Sequence, residues 1–166
     1  MNKQDIDALS SQLKQWGNFN SGALFLAKTI CRLNNWPYGE IWQPDKNDEF
    51  MVWTGYWNKK ENYFDKFSRF SSLHKFARGV GLIGKTWLTK KLQRMEEISS
   101  TADFLRSGIN SISGLNYAVS FPILNDEKVL CILCFFLQKF SDEDKQSVEL
   151  LSGYSEELGK ILITLG

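Results

Sequence analysis

The sequence predicts an α+β fold, an α/β/α sandwich around a central antiparallel sheet. Three observations carry this. Two pairs of β-type runs are joined by the short links "QPDKND" (43–48) and "NDEK" (125–128), and a parallel return needs a crossover of a dozen or more residues. Amphipathic helical segments stand at both ends of the chain. After Thr86 the chain holds the second of these hairpins instead of repeated βα units.

Composition fits one hydrophobic core. The chain has 166 residues, 43% apolar and 23% charged, which suits a single domain over 1–166. Its 20 basic and 19 acidic side chains leave a net charge of +1, so no cationic footprint for nucleic acid or an anionic membrane is expected. No run approaches the roughly 20 apolar residues of a spanning helix, and "MNKQDIDALSSQ" lacks the apolar centre of a signal peptide. Three cysteines, Cys31, Cys131 and Cys134, form no framework and fit a reducing, cytoplasmic compartment.

The elements follow in order. Ile6, Leu9, Leu13 and Trp16 recur at helical spacing and predict an N-terminal helix within 1–20 that ends near Gly17. "SGALFLAKTICRLNN" predicts a second, more deeply buried helix, stopped by Asn34, Asn35 and Pro37. "YGEIWQPD" and "DEFMVWTGYW" read as a hairpin, the second run alternating Phe50, Val52 and Thr54 with Met51, Trp53 and Gly55. "KKENYFDKFSRFSSLHKFA" carries Tyr63, Phe64, Phe67 and Phe70 at helical spacing.

Beyond the glycine loop "RGVGLIGKTW", the run "KTWLTKKLQ" reads as a short helix with Trp87, Leu88 and Leu92 inward. "RMEEI" follows as a short strand and "SSTADFLRSGINSISG" as another helical segment. "YAVSFPIL" and "VLCILCFFL" form the second hairpin. Ser141-Asp142-Glu143-Asp144 starts a terminal helix over 141–165, with Leu151, Tyr154, Leu158, Ile161 and Leu165 along one seam. Cys131 and Cys134 lie three apart on a strand and so point to opposite faces, which suits core packing better than redox or metal chemistry.

The glycine loop poses the sharpest functional question. Gly79 and Gly84-Lys85-Thr86 fit the phosphate-loop pattern, and Gly79, Gly81 and Gly84 fit a dinucleotide fingerprint. Such a loop follows a buried parallel strand, whereas "SLHKFAR" is mixed and charged. The only strand that could end on a magnesium-binding acid, "YAVSFPILND", is interrupted by Pro122. The glycines are therefore read as supplying positive φ and close packing ahead of a buried Trp87. Nucleotide binding remains the alternative.

"WPYGEIW", "FARGVGLIGKTW", "FLRSGINSISGLNYAVSFPIL" and "VLCILCFFL" stand in the order and spacing seen in GAF domains. The chain resembles that family over roughly Gly22 to Gly159, and most of all the sensor-type members of cyanobacteria and other bacteria. The resemblance implies terminal helices packed on one sheet face and a ligand pocket on the other, beneath the mid-chain helices. It also implies a non-enzymatic sensory or regulatory role, with a small-molecule ligand, a homodimer and a protein signalling partner. A ligand-free adaptor or dimerisation module is the alternative.

The sequence departs from the family's chemistry-bearing members. No cysteine lies between Cys31 and Cys131, which argues against covalent bilin attachment and against methionine sulfoxide reduction. The cyclic-nucleotide signature has no counterpart beyond "DKNDEF". A single histidine, His74, supports neither a catalytic triad nor a metal cluster, so no cofactor is assigned. The pocket candidates implied by the layout are Trp57, His74, Trp87, Phe104, Arg106, Tyr117 and Ser120. Arg106 could pair with a ligand carboxylate or phosphate, and the aromatic rings could stack on a flat ligand. No output segment accompanies the domain, so the signal is expected to pass to another chain.

Overall fold

The structure, a computed structural model, describes residues 1–60, 64–98 and 114–166. Six strands form one sheet in the order β3-β2-β1-β6-β5-β4. They are β1 (Tyr38–Pro44), β2 (Met51–Asn58), β3 (Lys75–Phe76), β4 (Gln93–Met95), β5 (Tyr117–Asn125) and β6 (Lys128–Leu137). Every neighbouring pair is antiparallel. Both predicted hairpins are present, and β6, carrying the apolar run "VLCILCFFL", lies at the centre between β1 and β5.

One face carries α1 (Lys3–Leu13), α2 (Phe19–Asn34), α5 (Asp142–Ser152) and α6 (Ser155–Ile163), closing a core of Ile6, Leu26, Ile30, Phe135, Leu151 and Leu158 with their neighbours. The opposite face lies under α3 (Asp65–Ser72) and α4 (Gly81–Thr89), in an aromatic core with Tyr38, Trp42, Phe67, Trp87 and Phe136. Cys131 belongs to the first core and Cys134 to the second, as residues three apart on a strand must. Burial pushes the Cys131 thiol up to about 12 and raises the Cys31 thiol well above its usual range.

Capping explains where the terminal helices begin. Asn2 with Asp5, and Ser141 with Asp144, each form a reciprocal box in which the cap side chain accepts from the third residue's N–H and the acid accepts in return. Asp144 also accepts from Trp36 Nε1 at 2.7 Å, tying the start of α5 to the entry of β1. In the first hairpin, Asp45 accepts from the backbone N–H of Glu49 and of Phe50, which holds its carboxyl below the usual range.

Several expectations change. α1 ends at Leu13, because the chain leaves the helical path to let Asn18 cap α2, and Trp16 is 41% exposed instead of continuing the buried face. α4 starts at Gly81, so Ile83 and Trp87 point inward together while Leu88, about 100° further round, is 59% exposed. The helix expected from Lys59 to Ala77 is shorter: α3 ends at Ser72, and Lys75 and Phe76 pair with β2. The segment 99–113, expected to be helical, lies outside the described residues, as does Tyr63.

The long terminal helix is two helices, broken at Gly153-Tyr154. The break turns Ser155 Oγ toward β5, where it donates to the Pro122 carbonyl at 2.5 Å. Pro122 does not interrupt β5. Its carbonyl is turned away from β6, and its nitrogen points the same way, where β4 reaches only Ala118 to Ser120. The missing N–H therefore costs no ladder bond.

The second hairpin has a two-residue turn, with Asn125 paired to Lys128 and Asp126 and Glu127 at φ 49° and 61°. This left-handed pair is the turn that matches strand twist, and glycine suits it best. Glu156 at the start of α6 compensates, accepting from the N–H of both turn residues at 3.2 Å. Glu127→Gly is expected to stabilise the protein by about 0.5–1 kcal/mol, the relief of positive φ exceeding the added chain entropy. Urea unfolding would detect the shift.

Candidate functional site

The chain builds a polar row across an otherwise aromatic surface. On β1 the side chains of Tyr38, Glu40 and Trp42 share the face opposite the terminal helices. Register places Tyr56 of β2 beside Glu40, Cys134 of β6 on its other side, then Ser120 of β5 and Gln93 of β4. Glu40, Cys134 and Ser120 are fully buried.

Glu40 is held from its own strand and Ser120 from a helix above it. Glu40 accepts from the Tyr38 hydroxyl at 3.1 Å and from Trp42 Nε1 at 3.0 Å, so one carboxylate is fixed between residues two before and two after it. Above Ser120 stands Thr86 of α4, with 2.8 Å between the hydroxyl oxygens. Thr86 gives its one proton to the Leu82 carbonyl at 2.9 Å, so Ser120 donates within the pair.

A bulge in β2 widens this face. Ile41 pairs with Gly55 and Trp42 with Trp53, leaving Thr54 unmatched. The strict alternation expected along β2 is therefore reset, and Trp53 and Tyr56, three apart, lie on the same face with rings stacked at 5.7 Å. Among the described residues, Trp53 Nε1 is a buried donor without an acceptor. Buried donors nearly always find a partner, and leaving one unpaired costs about 1–3 kcal/mol.

The glycine loop abuts this face but has no phosphate cradle. Gly79 and Gly81 have φ of 81° and 61°, and the Gly79 N–H donates to the Gly84 carbonyl at 2.7 Å. Gly84, Lys85 and Thr86 lie inside α4, not ahead of it, and Lys85 is exposed while Thr86 is buried. A phosphate loop presents those residues at the mouth of a helix that follows a parallel strand, and this sheet is antiparallel throughout. Lys85→Ala is expected to leave stability within about 0.5 kcal/mol of the parent. Thr86→Val, which removes the acceptor of Ser120, should cost about 1–3 kcal/mol. Thermal unfolding of the two variants checks the order.

The predicted site residues divide. Trp87 and Ser120 lie on the aromatic face, Trp87 beneath the Arg78 guanidinium at 3.8 Å. His74 lies at the β3 edge, its Nδ1 2.8 Å from the Phe70 carbonyl and its ring stacked near Phe76. Trp57 and Tyr117 point to the terminal-helix side and pack against that core. Phe104 and Arg106 fall outside the described residues. Glu40 was not singled out by sequence, and Thr86, Cys134 and Trp53 were read there as part of the glycine motif, as core packing and as a strand residue, not as members of a site. The signal for Glu40 was present in "YGEIW": an acid alternating with two residues whose side chains can donate to it.

Structures similar over nearly the whole chain include the GAF domain of A. aeolicus nlh2 in an inactive state, with TM-score 0.75 and 12% identity over 98% of this chain and 96% of that one. A GAF domain from a phosphoenolpyruvate-protein phosphotransferase of Coxiella burnetii gives 0.74 and 11% over 97% and 92%. The free methionine-R-sulfoxide reductase of Neisseria meningitidis, in complex with its substrate, gives 0.68 and 11% over 95% and 87%. No protein-family profile and no curated protein sequence matches the chain. The fold is GAF-like, and at these identities the likeness carries the fold alone.

Proposed function

We propose that residues 1–166 form a single sensory or regulatory domain of the GAF type, akin to the bacterial sensor proteins. It binds a small molecule on the sheet face opposite the terminal helices and does no catalysis. The observation that carries this reading is the orphaned Trp53 indole N–H beside the polar row of Tyr56, Glu40, Cys134 and Ser120. A core selected for stability alone would keep neither a buried carboxylate nor an unpaired donor on an aromatic sheet.

The ligand is an acceptor-bearing, flat molecule. Its acceptor meets Trp53 Nε1 and its ring lies among the aromatic side chains of that face, of which Trp87 forms the buried base, while Arg106 and Phe104, the expected partners of an anionic group and of the ring, lie outside the described residues. His74 stands at the edge of this face, and Trp57 and Tyr117 lie on the far side of the sheet, away from the ligand. Ligand binding favours one packing of α3 and α4 on the sheet, and the shift reaches α1 and α6 through β5 and β6. The terminal helices then present a changed surface to a second copy or to a signalling protein in a reducing, cytoplasmic compartment. Among the described residues no helix is long and apolar enough to cross a membrane.

Thermal unfolding across a panel of aromatic carboxylates, nucleotides and cyclic phosphates tests the reading. At least one class should raise the midpoint of the parent protein and raise that of Trp53→Phe much less. A panel without any stabilising class, or equal stabilisation of both proteins, would count against it.

A further inference from the structure

On the far side of the molecule, the outer surface of α2 forms a mainly apolar groove of about 620 Å³, bounded at one end by Gln12 of α1 and by Trp16 of the link that follows it. Its floor includes Leu24 and Leu33, 41% and 40% exposed, and its end is closed by Trp16, whose ring lies 5.2 Å from that of Phe25. Lys28 and Arg32 share one line of α2 with Leu24, at four-residue spacing, and line the same groove. Neither has an ion-pair partner among the described residues. Large apolar side chains and unpaired cations thus occupy one concavity, about as long as three turns of helix.

The geometry points to a docking site for an amphipathic helix of another protein, one whose apolar stripe is flanked by carboxylates. Charge complementarity selects this occupant. In a self-complementary dimer a two-fold axis through the middle of the patch would set Lys28 against Lys28 and bring Arg32 near both, concentrating like charge across an apolar seam. The chain's own acidic helices do not serve either: α5 exposes Asp142, Glu143 and Glu149 but no large apolar side chain, and α6 offers a single exposed one, Ile163, with Lys160 three residues before it on the same side. A concave floor suits a cylinder better than a flat lipid surface. The inference does not depend on the ligand assignment: Lys28, Arg32 and Leu33, which give the groove its charge and much of its apolar surface, take no part in the neighbouring concavity that Leu24 shares with Trp53 and Tyr56.

The test uses two fluorescent helical peptides, one with leucines at i, i+4 and i+7 flanked by glutamates, the other with lysine at every glutamate position. Fluorescence anisotropy at low salt should show the acidic peptide binding at least tenfold more tightly. The variant Lys28→Glu with Arg32→Glu, checked for an unchanged unfolding midpoint, should invert that preference, and Leu24→Ser should weaken both peptides. A preference that the charge reversal leaves in place would overturn the proposal. So would absence of binding to millimolar peptide, or sedimentation showing a micromolar dimer that Leu24→Glu dissolves. Ligand-induced stabilisation would be unaffected by any of these outcomes.

Discussion

Gly159→Ala is expected to destabilise the protein by at least about 3 kcal/mol, the upper range for overpacking, because the clash is with backbone. A β-carbon on Gly159 would lie 1.7 Å from the Leu124 carbonyl oxygen and 2.5 Å from its carbon. Observed β-carbons essentially never approach closer than 3.0 Å, and neither a helix backbone nor a strand carbonyl can rotate away as a side chain can. α6 would have to lift off β5. That movement would also pull Glu156 from the Asp126–Glu127 turn and Ser155 from Pro122, contacts that hold the same helix to the same strand. Urea unfolding of Gly159→Ala beside Gly153→Ala separates the effects, since a β-carbon at Gly153 meets nothing closer than 3.5 Å. The second variant should lie within about 1 kcal/mol of the parent.

Replacing Glu40 should have the next largest effect, a loss whose size depends on the substitute. Glu40→Leu removes the acceptor that the Tyr38 hydroxyl and the Trp42 indole N–H share, at about 1–3 kcal/mol for each bond lost. A loss of about 2–5 kcal/mol is expected, since some desolvation cost of the carboxylate is recovered. Glu40→Gln should lose less than half of that. Its carbonyl oxygen can take the Trp42 N–H, and its amide can donate to the Tyr38 oxygen once that hydroxyl rotates. Chemical unfolding monitored by tryptophan fluorescence compares the two variants. Equal losses would mean that the carboxylate matters for its charge or volume and not as the shared acceptor.

Local chemistry explains what could be read in advance. Antiparallel pairing was legible because "QPDKND" and "NDEK" are too short for a crossover, and the rejection of a phosphate loop followed from it. The glycine turn before a buried Trp87 was legible for the same reason. Features that depend on a third element were not. The break between α5 and α6 arises where Ser155 meets Pro122, and the bulge at Thr54 appears only once β1 and β2 are in register. Trp57 and Tyr117 were assigned to the ligand side from family layout, yet each lies an odd number of positions from the row residues of its own strand. The orphaned Trp53 donor is a property of packing, and no sequence pattern announces it.

The central claim is that a small molecule occupies the aromatic face and pairs with the Trp53 indole. Native mass spectrometry of the protein after incubation with a cell metabolite extract tests it most directly, with Trp53→Phe measured alongside. The account predicts a one-to-one adduct of defined mass on the parent protein, released on denaturation and strongly diminished in the variant. Bare polypeptide alone, or an adduct equally abundant on both proteins, would contradict it.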